Sequence, residues 1–471
     1  MTGSQADVPA DPRADVPADP RADALTESRA QLRLRRVRLG RDWRDADDPE
    51  VRALVQRSAV PDSRVRAGAR EIIEAVRAGG EAAVRDANAT YGGGLADGRL
   101  LVERDEMAAA LDALPAELRS ALEAAADRVM RFAEAQRPVD RSVETAPGVS
   151  IERRWVPLDA VGAYVPGGGA PYPSSLVMAA VPAQVAGVGR VVVATPARPD
   201  GRLDAVLLAA AALLHVDGLL VAGGAQAVAA LAFGLPNVGL ARVDRIVGPG
   251  NAWVTAAKLE LAGEVGIDLP AGPSEGMVLA LPPADPRIVA ADLITQAEHG
   301  PDSPAILVTT DEAFADAVEA AVVAQLGQAA RAGILERALR AHGRIVLVAD
   351  IDEGIDVVNA YAPEHLSIDV PDLEAAAARI RNAGSVFVGP WAPESAGDYA
   401  TGANHVLPTG GLARCTGALS VESFGKFLQV QRIDRDGLAA LRPTIRALAE
   451  AEGLLAHRDA VEIRFETAGA R

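Results

Sequence analysis

The chain has 471 residues, of which 49% are hydrophobic and only 3% aromatic, and it carries a formal net charge of −17. That length accommodates about two to three domains. The scarcity of aromatics argues against a base-stacking or peptide-binding groove, and the acidity opposes binding along a phosphate backbone, so no nucleic-acid partner is expected.

The single cysteine, Cys415, excludes an intramolecular disulfide framework and reads as a small buried residue in a reducing, cytoplasmic protein. Residues 6–13 and 14–21 repeat one octapeptide, Ala-Asp-Val-Pro-Ala-Asp-Pro-Arg. Its prolines and lack of apolar residues leave nothing to offset the entropy of ordering, so residues 1–27 are expected to be a disordered tail. No secretory pattern precedes it. Glu50 to Arg137 reads as amphipathic helices broken at Pro61, Gly79-Gly80 and Gly92-Gly93-Gly94.

From about Ile151, short β-branched runs alternate with Ala-rich helical stretches. Expected strands are Arg190–Thr195, Gly218–Val221, Arg245–Val247, Val265–Asp268 and Met277–Leu281, then Ala305–Thr309, Ile345–Val348, Leu366–Val370 and Ser385–Val388. Helical runs 201–214, 252–261, 286–298 and 311–330 separate them. The most apolar stretch, Leu203 to Val221, is interrupted by Asp204, His215 and Asp217; it reads as a buried helix and strand, not a membrane span. Such alternation implies parallel sheets covered by helices, here two α/β domains meeting near Leu269–Pro273. From about Lys426 the chain reads as polar and helical, and then extends through Ala460–Phe465.

Three glycine-rich turns stand where an open α/β sheet could bind a ligand, 165–169, 222–226 and 247–251, the last following an expected strand and opening a helix. Each is either a tight turn or a cradle of backbone amides for a nucleotide phosphate, and Asn251 suits a helix N-cap. The dinucleotide fingerprint Gly-x-Gly-x-x-Gly occurs at none of them. Six histidines occur in the chain, and four lie in polar segments bearing carboxylates or amides. Gln296 and His299 end a helix three residues apart, on one face, where they could share a metal or simply complement the helix dipole; Glu298 points elsewhere. Glu364-His365 falls between a helix and a strand, as a capped turn or as a pair dividing proton transfers. Asp398 lies near His405, and Glu452 precedes His457. None has the spacing of a zinc finger or a His-Glu-x-x-His helix, so one metal drawn from distant segments remains the open reading.

Residues 268–275 (Asp-Leu-Pro-Ala-Gly-Pro-Ser-Glu), 296–299, 362–366 and 404–409, with Gly248-Pro249-Gly250-Asn251 and Glu452-Gly453, resemble the histidinol dehydrogenase family in order and interval. The resemblance runs from about residue 35 to the end, and Arg85–Gly94 is its loosest part. It implies oxidation of L-histidinol to L-histidine by two successive NAD⁺, through an aldehyde. By motif position it puts one zinc per subunit on Gln296, His299, Asp398 and His457, and proton transfer on Glu364 and His365. Ser274, His405 and Glu452, along with the zinc ligands and His365, fall where the family contacts substrate; Tyr164, Gln226 and Asn251 fall where it contacts NAD. It further implies a homodimer whose C-terminal arms complete each other's sites.

Relatives with this core oxidise other small polar alcohols, including a sulfonated propanediol, which is the alternative activity. The expected architecture is therefore α/β, with two incomplete Rossmann-like parallel-sheet domains, a helical N-terminal region and an extended C-terminal dimerisation arm. Its expected limits are a 1–27 tail, a 28–155 helical segment packed on the second α/β domain, a 156–270 NAD-associated domain, a 271–425 domain with most zinc and catalytic residues, and a 426–471 arm.

Overall fold

The computed structural model describes residues 32–40, 43–45, 47–167 and 170–467. The repeat tail lies outside them. In chain order the strands are β1 Arg35–Arg38, β2 Arg141–Ala146, β3 Val149–Pro157, β4 Ala160–Tyr164 and β5 Arg190–Thr195. Then come β6 Gly218–Val221, β7 Arg245–Val247, β8 Gly266–Ile267, β9 Gly276–Ala280 and β10 Ala305–Thr309. The last are β11 Arg344–Leu347, β12 His365–Asp369, β13 Ser385–Val388 and β14 Gly425–Ile433.

The chain divides into two compact units. One takes the described residues up to Ala59 with Pro273–Ser395 and Pro408–Gly417; the other takes Val60–Gly272, Ala396–Leu407 and the residues from Ala418 onward.

The second of these holds a parallel five-stranded sheet in the order β6-β5-β4-β7-β8. Its strands are short apolar runs because both faces are covered: Val191 and Val193 join one core, Val192 and Ala194 the other. The sheet grows from β4 through β5 and β6 on one side, then restarts with β7 on the other. This makes the carboxyl ends of β4 and β7 a topological switch point, the usual place for a ligand crevice. Helix Ser63–Tyr91 packs on the sheet helices Gly224–Phe233 and Ala252–Leu261. Asp62 caps its start, Gly80 kinks it at φ 54°, and Gly92 ends it, which are the breaks expected from the sequence.

The other unit holds a parallel six-stranded sheet, β1-β11-β10-β9-β12-β13. Met277 and Leu279 face one core while Val278 and Ala280 face the other, the two-residue period of a strand buried on both sides. Here the switch falls between β9 and β12.

The structure departs from the sequence reading in several places. Residues 28–155 do not form one block packed on the second α/β domain. The described residues up to Ala59 join the six-stranded unit, with β1 as its edge strand, and those from Val60 join the five-stranded one. Apolar faces on helix Ser63–Tyr91 decide this, with Ile73 and Val76 buried in the core of the five-stranded sheet. Residues 425–433 are a strand, not a helix. β14 pairs antiparallel with β3 in a small β14-β3-β2 sheet, where the Phe427 ring meets Trp155 edge-on at 5.2 Å. After it come helices Arg435–Ala451 and Leu455–Thr467, so Ala460–Phe465, expected to be extended, is helical. Cys415 is exposed, because it follows a short 3-10 turn, Leu412–Arg414, at the surface.

Candidate active site

The Glu364-His365 pair stands at the amino ends of β9 and β12, where His365 and Gly276 are in register. Helix Ile351–Tyr361 ends on Ala362, a non-glycine residue held left-handed at φ 53°, which turns the chain so that Glu364 and His365 enter β12. Helix Pro286–Glu298 starts on the Asp285 cap and runs antiparallel to the strands. It therefore brings its last turn to the same sheet edge, with Gln296 buried there and His299 just past its end.

These side chains meet. The Gln296 Oε1 lies 3.2 Å from His365 Nδ1, and its Nε2 donates to Ser274 Oγ at 3.2 Å. The amide oxygen can only accept, so this contact calls for a proton on His365 Nδ1. The rings of His299 and His365 stack at 5.9 Å. The buried Glu394 carboxylate lies 3.6 Å from His299 Nδ1 and 3.8 Å from His365 Nδ1. One helical turn later, on Glu394–Tyr399, comes Asp398.

Glu364 is held from below by Glu275. The Glu275 backbone N–H donates to Glu364 Oε2 at 2.9 Å, and the Glu275 carbonyl accepts from the His365 N–H at 3.2 Å. The Glu275 side chain is buried, which pushes its carboxyl above the ordinary range, while the Arg57 guanidinium beside it pulls the other way. Arg57 also donates to the Tyr361 carbonyl and lies 3.4 Å over the Tyr361 ring. A buried ion pair thus fixes the backbone that carries the reactive pair.

In the five-stranded unit, His405 Nε2 lies 3.2 Å from Ser175 Oγ, and its Nδ1 lies 3.1 Å from the Asp398 carbonyl and 3.8 Å from the Asp398 carboxylate. The expected NAD residues gather at the carboxyl ends of β4, β6 and β7. The Tyr164 hydroxyl, pushed up to about 12 by burial, accepts from the Gly224 N–H at 3.4 Å. Gln226 is buried and donates to Asn88 Oδ1 at 3.3 Å. Asn251 caps helix Ala252–Leu261 through the N–H groups of Trp253 and Val254. Glu452 and His457 are exposed at the end of helix Arg435–Ala451 and the start of Leu455–Thr467.

The family model of histidinol dehydrogenase matches residues 55–465. The chain belongs to the histidinol dehydrogenase family. It is 48% identical to the histidinol dehydrogenase of Halobacterium salinarum over 88% of this chain and 96% of that one. It is 46% identical to that of Nocardia farcinica over 92% and 99% of the two chains. The crystal structure of histidinol dehydrogenase from Elizabethkingia anophelis superposes with a TM-score of 0.85 at 35% identity, covering 93% of this chain and 99% of that one.

For a histidinol dehydrogenase, the donor set at the sheet edge fits a borderline-soft metal: an imidazole, a side-chain amide and neighbouring carboxylates. Gly276 makes room for it, since a Cβ there would stand 2.6 Å from Gln296 Oε1. Three residues at this edge were missed from sequence: Arg57, Glu275 and Glu394. Glu275 closes the 268–275 motif without having been given a role, and Glu394 lies one helical turn from Asp398, whereas Arg57 carries no local signal. Among the described residues no helix is long and apolar enough to cross a membrane.

Proposed function

We propose that this chain is an NAD- and zinc-dependent enzyme that oxidises L-histidinol to L-histidine through L-histidinaldehyde, the last steps of histidine biosynthesis. It would act in the cytoplasm as a homodimer with shared active sites. The observation that carries the reading is the buried Glu364–His365 pair beside Gln296 and His299, in a chain of this family.

Gln296, His299, Asp398 and His457 are the proposed zinc ligands, His457 reaching across the dimer on the C-terminal arm; zinc there would supply a template that binds the substrate's imidazole and amino nitrogens. NAD, contacted by Tyr164, Gln226 and Asn251, supplies the hydride acceptor. Ser274, His405 and Glu452 contribute substrate contacts.

The orientation of His365 suits a base. Its Nδ1–H is engaged by Gln296, so Nε2 takes the hydroxyl proton as hydride leaves the carbinol carbon. Carboxylates of Glu364 and Glu394, each 3.8 Å from the ring, offset the positive charge His365 then carries. In the second half, Glu364 removes a proton from water as it adds to the aldehyde carbon. The hydrate anion so formed would pass a second hydride to NAD⁺, and the resulting carboxylic acid loses its remaining proton to solvent, leaving the carboxylate of histidine. Fixing one Glu364 oxygen on the Glu275 N–H aims the other without further ordering.

Purified protein given histidinol and excess NAD should form two NADH per histidine. One NADH without histidine overturns the four-electron reaction. Inert histidinol with turnover of another small polar alcohol, such as a sulfonated propanediol, selects the related dehydrogenase instead.

A further inference from the structure

The reaction above makes no use of two deeply buried charges in the five-stranded unit. Lys258, on helix Ala252–Leu261, and Asp268, just after β8, form an ion pair with side chains 2% and 1% exposed. Both also bond one residue of the Gly248-Pro249-Gly250-Asn251 turn. Lys258 Nζ donates to the Gly248 carbonyl at 3.0 Å, and the Gly248 N–H donates to Asp268 Oδ2 at 2.7 Å. We infer that Lys258 and Asp268 are positioning residues for the dinucleotide, a buried clamp that holds the β7 turn in its NAD-binding shape. This rests on the proposed placement of NAD at Tyr164, Gln226 and Asn251.

Gly248 needs a clamp. Its φ is +102°, and a Cβ would stand 2.2 Å from the Tyr164 carbonyl, so the turn presses against the end of β4 in a conformation only glycine adopts readily. The far end of the turn is already fixed by the Asn251 cap. Lys258 lies two turns into that same helix and ties the near end to it. Turn, strand end and helix thereby move as one piece at the switch point, which is what a cofactor site on a loop requires. A stability role alone does not account for the pair, because a buried ion pair is commonly no more stabilising than apolar residues of similar volume. Arg245 also faces Asp268, but its guanidinium is occupied by the Ser423 carbonyl, so it balances charge without touching the turn.

The test compares K258M/D268N with K258Q/D268N, N251A and the unaltered protein, by calorimetric titration of NAD, melting temperature, and KM and kcat for both substrates. Each double variant removes one charge of each sign and so keeps the net charge, and Asn can still accept from the Gly248 N–H. In K258M/D268N the Kd for NAD should rise about tenfold, the scale of one lost aligned interaction. The histidinol KM, the kcat at saturating NAD and the melting temperature should hold. K258Q/D268N, which keeps a neutral donor, should recover part of the affinity.

Unchanged NAD affinity in K258M/D268N, or equal weakening towards both substrates, overturns the clamp. Should K258M/D268N fail to fold, K258Q/D268N decides: weaker NAD binding at unchanged histidinol KM supports the clamp, and unchanged NAD binding refutes it. If the unaltered protein binds no NAD, or N251A leaves its affinity unchanged, the cofactor placement itself falls and the clamp with it. If N251A weakens NAD and K258M/D268N does not, only the clamp falls.

Discussion

Substituting Gly276 by alanine tests the packing at the sheet edge with a single carbon. The backbone there tolerates alanine, because Gly276 is an ordinary strand residue whose N–H donates to the Pro304 carbonyl at 3.0 Å. The new Cβ would stand 2.6 Å from Gln296 Oε1 and 2.7 Å from its Cγ. Gln296 cannot swing clear, because it is buried and its amide is bonded at both ends, to His365 and to Ser274. Restoring ordinary contact requires Gln296 to move by about 0.7 Å, enough to break bonds that are already 3.2 Å long. The fold should lose about 1–3 kcal/mol from overpacking. The rate should lose more, because a misplacement approaching 1 Å at a reacting group costs up to about 100-fold. Steady-state kinetics at saturating NAD and thermal melting measure the two consequences. A G276A protein with kcat within about twofold of the parent would refute the claim that Gln296 holds His365 in place.

Three further outcomes are expected. Arg57→Met strands the Glu275 carboxylate, so stability should fall by about 3–5 kcal/mol in chemical denaturation. That loss should shrink at acid pH, where Glu275, whose carboxyl sits above its ordinary range, takes up a proton; a loss independent of pH would refute the pairing. Asp292 is pushed from 3.8 up to about 6 by burial and by Asp369, so the folded state binds its proton more tightly than the unfolded chain. The stability it supports is full below pH 3.8 and is lost as pH rises to about 6. Asp292→Asn should therefore raise the melting temperature at pH 7.5 and leave it unchanged near pH 3.5; equal effects at both pH values would contradict this. Finally, His365→Asn should cripple oxidation of histidinol, while Glu364→Gln should slow oxidation of supplied histidinaldehyde more than that of histidinol. Equal loss in both half-reactions for E364Q would overturn the division between the two residues.

Most elements of the two parallel sheets were legible because strands buried on both faces are short apolar runs with glycine or proline at their ends. Arg190–Thr195, Gly218–Val221 and Ala305–Thr309 agree with the expectation residue for residue. β14 was not legible, because its Lys426, Gln429 and Arg432 face solvent and only pairing with β3 makes the segment a strand. β1 was missed for a related reason: four residues rich in arginine acquire strand character only beside β11. Within the site, Gln296, His299, Glu364 and His365 stood out because their types and spacing are unusual. Arg57 did not, since an arginine after an amphipathic helix reads as a surface charge until Glu275 is seen beneath it.

Local chemistry, written in consecutive residues, determined where helices cap, where strands turn over and which short clusters carry donors. Tertiary structure alone decided which clusters share a site. Gln296 and His365 are 69 residues apart, Glu275 and Glu364 are 89, and Arg57 and Glu275 are 218. The parallel pairing of β9 with β12 brings Glu275 to Glu364, and the return of helix Pro286–Glu298 brings Gln296 to His365; no period in the chain encodes either.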